Sequence, residues 1–205
     1  MQNGIRSRIM ANLVHQVCQA WSLLRNQKWP VFRDGRGITY SMHQFRNFFN
    51  GARVPGLDED TNETFFKTKE EGDCPKNVVV LYKGRFFSFE PFGADEKVAS
   101  SKRIEMALSE IENYDEESEL SFGPLSCMNR TEWSGHYQEL KKNNPDFIRK
   151  ITGAICLVIL SDLEPQSSQE LLNWTYVNDG SDIWTDKNLT FVAFKNGAIG
   201  SQSEV

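Results

Sequence analysis

The sequence contains no long apolar run and no paired cysteine motif. Its longest apolar stretch, residues 154–160, has seven residues, whereas a membrane-spanning helix needs about 20. We therefore expect no transmembrane segment. Four cysteines, Cys18, Cys74, Cys127 and Cys156, lie far apart and form no CxxC pair. A secreted disulfide scaffold would be richer in cysteine, so the pattern predicts four reduced thiols in an intracellular, reducing compartment.

The chain also lacks an excess of positive charge. Lys and Arg number 23 while Asp and Glu number 28, which gives a net charge of −5 and a pI near 5.3. Nucleic-acid-binding domains usually have a basic balance, so we expect no nucleic-acid partner. The composition is 39% hydrophobic and 25% charged. A chain of 205 residues with this balance can bury a core and fits one domain or part of a larger one.

Motifs for common catalytic chemistry are missing. There is no GxSxG nucleophile turn. Gly51 and Gly56 have half of the P-loop spacing, but Leu57 and Asp58 follow where Lys and Ser or Thr would contact phosphate and Mg²⁺. Residues 110–119 carry six acidic side chains and no basic one, which is typical of a solvated helix end or loop.

The three histidines are too far apart to act together. His15, His43 and His136 form no HExxH pattern, and none has an acidic residue four positions later. We expect each to be a structural histidine at the surface or the edge of the core. The sequence therefore predicts no general base, no metal site and no tightly bound cofactor.

Apolar periodicity predicts helices and strands that alternate along the chain. The predicted helices cover residues 9–24, 42–49, 96–114, 131–142 with Thr131 as N-cap, and 145–151, with a helical piece inside 162–178. The predicted strands cover residues 77–82, 85–89, 153–160 and 188–194, and another begins at residue 198. Residues 57–76 are polar and predict a surface loop. Lys83-Gly84 and Asn196-Gly197 predict tight turns, and the sum indicates an α+β fold in which helices cover a sheet.

Four separated segments resemble sequence blocks of the carnitine/choline O-acyltransferases. They are residues 42–56 (MHQFRNFFNGARVPG, with Asp58 or Asp60 as a trailing acid), 78–87 (VVVLYKGRFF), 128–134 (MNRTEWS) and 184–200 (WTDKNLTFVAFKNGAIG). They match the patterns MxQ(Y/F)xxxFxxxRxPG, the following hairpin, NRxxWA and W(F/Y)DKxLTLVxFKNGxxG. The blocks occur in the family's order with similar gaps, and the resemblance extends over nearly the whole chain.

The resemblance implies a fold, a reaction and substrates. Residues 1–205 would be a single partial domain, the N-terminal part of the family's α/β two-layer fold, with a mixed sheet like that of chloramphenicol acetyltransferase. The intact family transfers acyl groups reversibly between acyl-CoA, as co-substrate, and carnitine or choline, a reaction of fatty acid metabolism. The half that binds CoA and carnitine would be absent from this chain. The acceptor, the acyl chain length and the compartment (mitochondrial, peroxisomal or cytoplasmic) stay open.

The resemblance also implies where the family's general base would stand. In the family a Glu-His pair follows the FKNGxxG block. Glu204 matches the residue before the base, and Val205 occupies the position of the base itself. A valine cannot accept a proton, so we expect no catalytic residue and a truncated chain that is inactive alone.

Two other interpretations remain open at this point. The chain could be a non-catalytic interaction module, kept for contact with a partner such as a full-length family member. A true fragment would leave the strand at residues 188–194 and the inter-domain face uncovered, and this exposed face would favour aggregation or pairing. It could also be a splice product or gene-model fragment. The remaining residues that match the family blocks are expected to be structural: Arg53, Pro55, Gly56, Asn129, Arg130, Trp133, Asp186, Lys187, Gly197 and Glu204.

Overall fold

The described part of the chain contains seven strands and five α-helices. The computed structural model describes residues 4–114, 116, 118, 121–178 and 181–203. The strands are β1 (Gly51–Val54), β2 (Thr61–Thr64), β3 (Val78–Tyr82), β4 (Arg85–Phe89), β5 (Leu157–Ser161), β6 (Leu189–Phe194) and β7 (Ile199–Ser203). The helices are α1 (Ile5–Arg25), α2 (Ser101–Glu112), α3 (Arg130–Asn143), α4 (Pro145–Thr152) and α5 (Ser168–Val177). In these residues no helix is long and apolar enough to cross a membrane.

A mixed five-stranded sheet with the order β4–β3–β5–β6–β7 forms the centre. The three inner strands are mutually parallel, and each outer strand is an antiparallel hairpin partner. The predicted Lys83-Gly84 hairpin is confirmed, with both residues at positive φ (49° and 72°). In the second hairpin, Gly197 has φ 87° and its N–H donates to the Phe194 carbonyl, so the predicted turn is confirmed as well. A separate antiparallel pair, β1–β2, lies beside this sheet.

Alternate residues of the inner strands face two different helical layers. Val78, Val80 and Val158 belong to the core that includes α1 and α2. Val79 and Leu157 belong to the other, together with buried residues of α3 and α4. Strand β5 is buried throughout because it is covered on both faces. The predicted α+β class is confirmed, and a helical layer lies on each side of the sheet instead of on one side only.

The predicted helix at residues 42–49 is wrong. This stretch contains only a 3₁₀ turn, His43–Arg46, and β1 follows it. Asn50 stands between them with φ 52°, a left-handed conformation that ends a helix and that Asn tolerates better than most residues. The predicted surface loop at residues 57–76 was also incomplete, because β2 lies within it and pairs with β1.

Helix α3 begins at Arg130 and not at the predicted capped position. Its N-cap is Asn129, whose side-chain oxygen accepts a hydrogen bond from the Thr131 N–H at 3.0 Å. The prediction of Thr131 as N-cap is therefore wrong. Both residue types can cap a helix, and the helix simply starts one residue earlier.

The strand expected to be uncovered lies in the interior. Strand β6 pairs with β5 on one side and β7 on the other, and Val192, Ala193 and Phe194 are fully buried. The expectation that the strand at residues 188–194 is uncovered is therefore wrong, whereas pairing through an exposed inter-domain face stays a prediction. Residues 199–203 form the edge strand that covers β6 on one side, in agreement with the predicted Asn196-Gly197 turn and the strand predicted from residue 198.

Candidate functional site

Residues from three of the four matched segments meet at the carboxylate of Asp186. This side chain is 1% exposed. It accepts hydrogen bonds from Arg130 Nη1 at 2.8 Å and from Trp133 Nε1 at 2.6 Å, and Arg53 Nε lies 3.2 Å away. The backbone is joined in the same place, because the Arg53 N–H donates to the Asp186 carbonyl at 2.8 Å. The block at residues 42–56, the start of α3 and the lead into β6 are thus held together at one acid.

A second carboxylate, Asp60, balances the charge of the two arginines. Its Oδ2 lies 2.8 Å from Arg130 Nε and 3.5 Å from Arg53 Nε, while its Oδ1 accepts from the Gly56 N–H at 3.3 Å. Two arginines and two acids therefore form one network, which we call the Asp186 cluster: Arg53, Asp60, Arg130, Trp133 and Asp186. The trailing acid that the sequence assigned to Asp58 or Asp60 is Asp60 in this contact. The roles of the cluster residues stay a prediction.

Lys187 extends from the same segment into the interior. Its Nζ donates to the carbonyls of Gly51 and Thr152, both at 2.8 Å, and the residue is 2% exposed. Burial without a carboxylate partner disfavours the charged form and lowers the pKa of Lys187 to about 7. An antiparallel bridge between Ala52 and Lys187 ties β1 to the chain just before β6.

Asn50 and Asn188 take part in this packing and were not singled out from the sequence. Asn50 Oδ1 accepts from Trp21 Nε1 at 2.6 Å, and its Nδ2 donates to the carbonyls of Pro75 and Gly153. Asn188 donates from Nδ2 to the Asn47 carbonyl. The signal that could have drawn attention to Asn50 is its place before a glycine within a matched block, where a left-handed residue is plausible.

The remaining matched residues divide into two groups. Pro55 and Gly56 lie in the turn after β1 that brings Asp60 back to the arginines, and Asn129 caps the helix that carries Arg130 and Trp133. Gly197 is not part of the cluster. It lies in the β6–β7 turn, at the other end of β6, where a Cβ would approach α1.

Pairing of β7 with β6 brings the end of β7 close to the Asp186 cluster. Ser203 pairs with Leu189, the residue directly after Asn188 and two after Lys187. Glu204 and Val205, including the predicted position of the family's base, lie outside the described residues. The described end of β7, Ser203, lies at the end of the sheet next to Lys187 and Asn188.

None of the histidines joins this cluster. His15 Nδ1 lies 2.8 Å from the Ala99 carbonyl and its Nε2 lies 2.9 Å from the Gln19 amide, while His43 and His136 are exposed. Over the described ranges no set of three or more metal-ligating side chains is arranged around a common point. All four cysteines are free thiols. The arrangement at Asp186 is therefore suited to fix the relative positions of chain segments.

Comparison with known proteins agrees with the segment matches. The model of the choline/carnitine O-acyltransferase family matches residues 2–205. The rat peroxisomal carnitine O-octanoyltransferase is 29% identical over 189 residues, which cover 88% of this chain and 31% of that protein. The human carnitine O-acetyltransferase is 27% identical over 94% of this chain and 32% of its own length. The mitochondrial carnitine O-acetyltransferase of Saccharomyces cerevisiae is 26% identical over 82% of this chain. The chain thus spans about a third of the length of the relatives it matches.

Proposed function

The chain belongs to the choline/carnitine O-acyltransferase family, and from this premise we propose that it contributes the braced strand pair β6–β7 to reversible acyl transfer between acyl-CoA and carnitine. The observation that carries the proposal is the Asp186 cluster. It ties three matched segments to the start of β6, directly beside the end of β7. The family's base is expected just after β7, so the cluster would set where that base stands.

Rigid support at this point has a chemical rationale. A positioned general base contributes about 10²–10⁴-fold to a rate, and a displacement of about 1 Å can cost about 10²-fold. Strand β6 is held by main-chain pairing on both sides and at its start by Asp186, Lys187 and Asn188. This arrangement supports a scaffold role for the matched residues.

The names of the relatives support the substrates of the proposed reaction. The octanoyltransferases and the acetyltransferases in the comparison are all named as carnitine enzymes. We therefore propose carnitine as acceptor and a short or medium acyl chain. Relatives named as peroxisomal and mitochondrial support one of these two compartments.

The 205 residues by themselves are proposed not to transfer acyl groups. His15 contacts the Ala99 carbonyl, the other two histidines are exposed, and position 205 holds valine. Purified chain incubated with carnitine and acetyl-CoA or octanoyl-CoA should release no free CoA above the protein-free rate. The human carnitine O-acetyltransferase provides the positive control. Carnitine-dependent CoA release at an enzyme-like rate would show that this part of the proposal is wrong.

The reaction itself is tested on the longest product of the same reading frame. The transcript is sequenced through codon 205, and the product it encodes is expressed and assayed with the same substrates. A frame that continues past Glu204 into a histidine and yields carnitine-dependent CoA release would support acyl transfer. A folded product of this kind without CoA release would contradict it, as would a stop codon after Val205 in abundant message.

A further inference from the structure

A short hairpin after α1 exposes apolar side chains that the core does not use. We call residues 31–40 the finger. The Tyr40 N–H donates to the Phe32 carbonyl at 3.0 Å, the Asp34 N–H donates to the Ile38 carbonyl at 3.1 Å, and the turn closes at Gly37 with φ 80°. The finger is therefore a hydrogen-bonded structure with a defined apolar surface.

Four large apolar side chains on the finger are about half exposed. Val31 is 51%, Phe32 54%, Ile38 56% and Tyr40 46% exposed. The rings of Phe32 and Tyr40 pack on each other with centroids 5.4 Å apart. Single exposed apolar residues are ordinary, but several adjacent ones on one short segment mark an interaction surface.

Basic side chains accompany this apolar surface. Arg33 and Arg36 lie on the finger, and Lys28 stands just before it. The only acid of the finger, Asp34, is engaged in the turn itself, because its Oδ1 accepts from the Arg36 and Ile38 N–H groups, both at 2.9 Å. The segment is thus locally positive in a chain whose net charge is −5.

Lys28 also lines a cleft of about 640 Å³ between the end of α1 and the loop before α2. The cations of this basic cleft are Arg25, Lys28, Lys69, Lys76 and Lys97. Two acids, Asp95 and Glu96, line it as well, and Glu96 is held between Lys69 at 3.4 Å and Lys76 at 2.6 Å. Five basic and two acidic side chains line the cleft, so its lining has a net positive charge, as the finger does.

From this combination we infer that the finger docks on the surface of an anionic lipid bilayer. Aromatic and aliphatic side chains enter the interfacial region of a membrane, and adjacent Lys and Arg are attracted to anionic headgroups. The finger presents both kinds of side chain on one short hairpin. The inference does not depend on acyl transfer, because it concerns a surface that is separate from the Asp186 cluster.

The test is co-sedimentation of the purified 205-residue chain with lipid vesicles. One set contains phosphatidylcholine alone, and the other contains two parts phosphatidylcholine to one part phosphatidylserine. Binding is expected only to the phosphatidylserine vesicles and should weaken as salt is added. No binding to either set at low salt would overturn the inference.

Variants of the finger distinguish this docking from non-specific adhesion. Phe32→Ser and, independently, Ile38→Ser should each weaken vesicle binding about tenfold, and Arg33→Gln with Arg36→Gln should weaken it about fivefold per charge. Because these side chains are exposed, the far-UV CD spectrum and unfolding midpoint should not change. The matched control is Leu172→Ser with Tyr176→Ser on α5, where the two residues are 54% and 55% exposed, and it should bind like the unmodified chain.

Other results would assign the finger to a different partner. Equal losses for the finger and α5 variants would show that vesicle binding is not localised, which overturns the inference. So would self-association of the chain that Phe32→Ser abolishes in the absence of vesicle binding, since the finger would then contact a second copy.

Discussion

At the residue scale, the Asp186 carboxylate joins side chains from distant parts of the chain. Its partners are 53 to 133 positions away in sequence. A buried acid is stable only when donors replace the water it has lost, and here two guanidinium groups and one indole do so. The matched segments singled out Asp186 and its partners as residues expected to be structural, but no spacing rule shows that they touch.

Replacing Asp186 by Asn tests how much the cluster contributes to stability. The amide keeps the shape but removes the charge that faces Arg53 and Arg130, so we expect a loss of about 3 kcal/mol in the free energy of unfolding. Urea denaturation measures it. The control Asp95→Asn breaks an exposed pair with Lys97 and should leave the urea midpoint nearly unchanged, because solvent screens exposed ion pairs. Equal midpoints for the two variants would contradict the stabilising role.

Lys187 makes stability depend on pH in a defined direction. Its folded-state pKa is about 7, below the value of about 10.4 in an unfolded chain. The unfolded state therefore binds more protons above pH 7, and the free energy of unfolding should rise with pH by up to about 1.4 kcal/mol per unit. Burial raises the pKa of Cys18 and Cys156, which reverses the trend above about pH 8.5, where unfolded thiols ionise.

The effect of Lys187 on the free energy of unfolding can therefore be measured, without the opposing effect of the thiols, from about pH 7 to about pH 8.5. Lys187→Met should remove the rise in the urea midpoint over this window, and the exposed control Lys102→Met should keep it. A rise of the same size in Lys187→Met would show that another group is responsible.

At the scale of elements, the start of α3 distinguishes two capping residues. Asn129→Ala removes the side-chain acceptor for the Thr131 N–H and should lower the free energy of unfolding by about 1 kcal/mol. Thr131→Ala is the matched control and should have little effect, because its hydroxyl is not the cap. The reverse order in thermal or urea unfolding would restore Thr131 as the N-cap.

The contact between α5 and β7 depends on a glycine. A Cβ at Gly200 would collide with the Thr175 side chain, so Gly200→Ala should destabilise the protein by about 1–3 kcal/mol through overpacking. Gly135 lies in α3 with open space around its missing Cβ, and Gly135→Ala should stabilise by about 1 kcal/mol. Two variants with the same sign of change in unfolding midpoint would contradict this packing.

Elements that local signals specify were predicted well, and those that depend on distant partners were not. The turns at Lys83-Gly84 and Asn196-Gly197 depend on residues that adopt positive φ, namely Lys83, Gly84 and Gly197. A helix was predicted at residues 42–49 because three phenylalanines have the spacing of a helical stripe. The structure has no α-helix there, because the Asn50 amide instead donates to the carbonyls of Pro75 and Gly153. Strand β2 is polar and forms because β1 is beside it.

At the scale of the whole molecule, the sheet should open from its edge. Strand β5 is central and buried on both faces, whereas β7 has one pairing partner and exposed residues. Amides of Leu157–Ser161 should exchange hydrogen only through global unfolding, and those of Ile199–Ser203 through smaller openings with faster exchange. Mass spectrometry of peptic peptides measures both. Equal protection of β5 and β7 would contradict this order.

Sequence patterns could not give the neighbour relations that make up the site. The strand 188–194 was expected to be uncovered although the predicted Asn196-Gly197 turn favours a following strand that folds back along it, and nothing in its own residues shows that β5 pairs along its other edge. Likewise, the local sequence around the four charged residues of the Asp186 cluster does not show which residues they contact. They meet because β1 is bridged to the chain just before β6 at Ala52 and Lys187, and because the start of α3 lies against Asp186.

The strand order also bears on how the chain is made at the ribosome. Of the five-stranded sheet, β3 and β4 emerge first as a hairpin, and β5, β6 and β7 are then added one after another to the same edge. Asp186 is synthesised after all of its side-chain partners, so Arg53 and Arg130 leave the ribosome before the buried carboxylate that holds them. The nascent chain therefore keeps an open sheet edge and an incomplete cluster until the segment leading into β6 appears, and during that interval it is most exposed to mispairing and to chaperones.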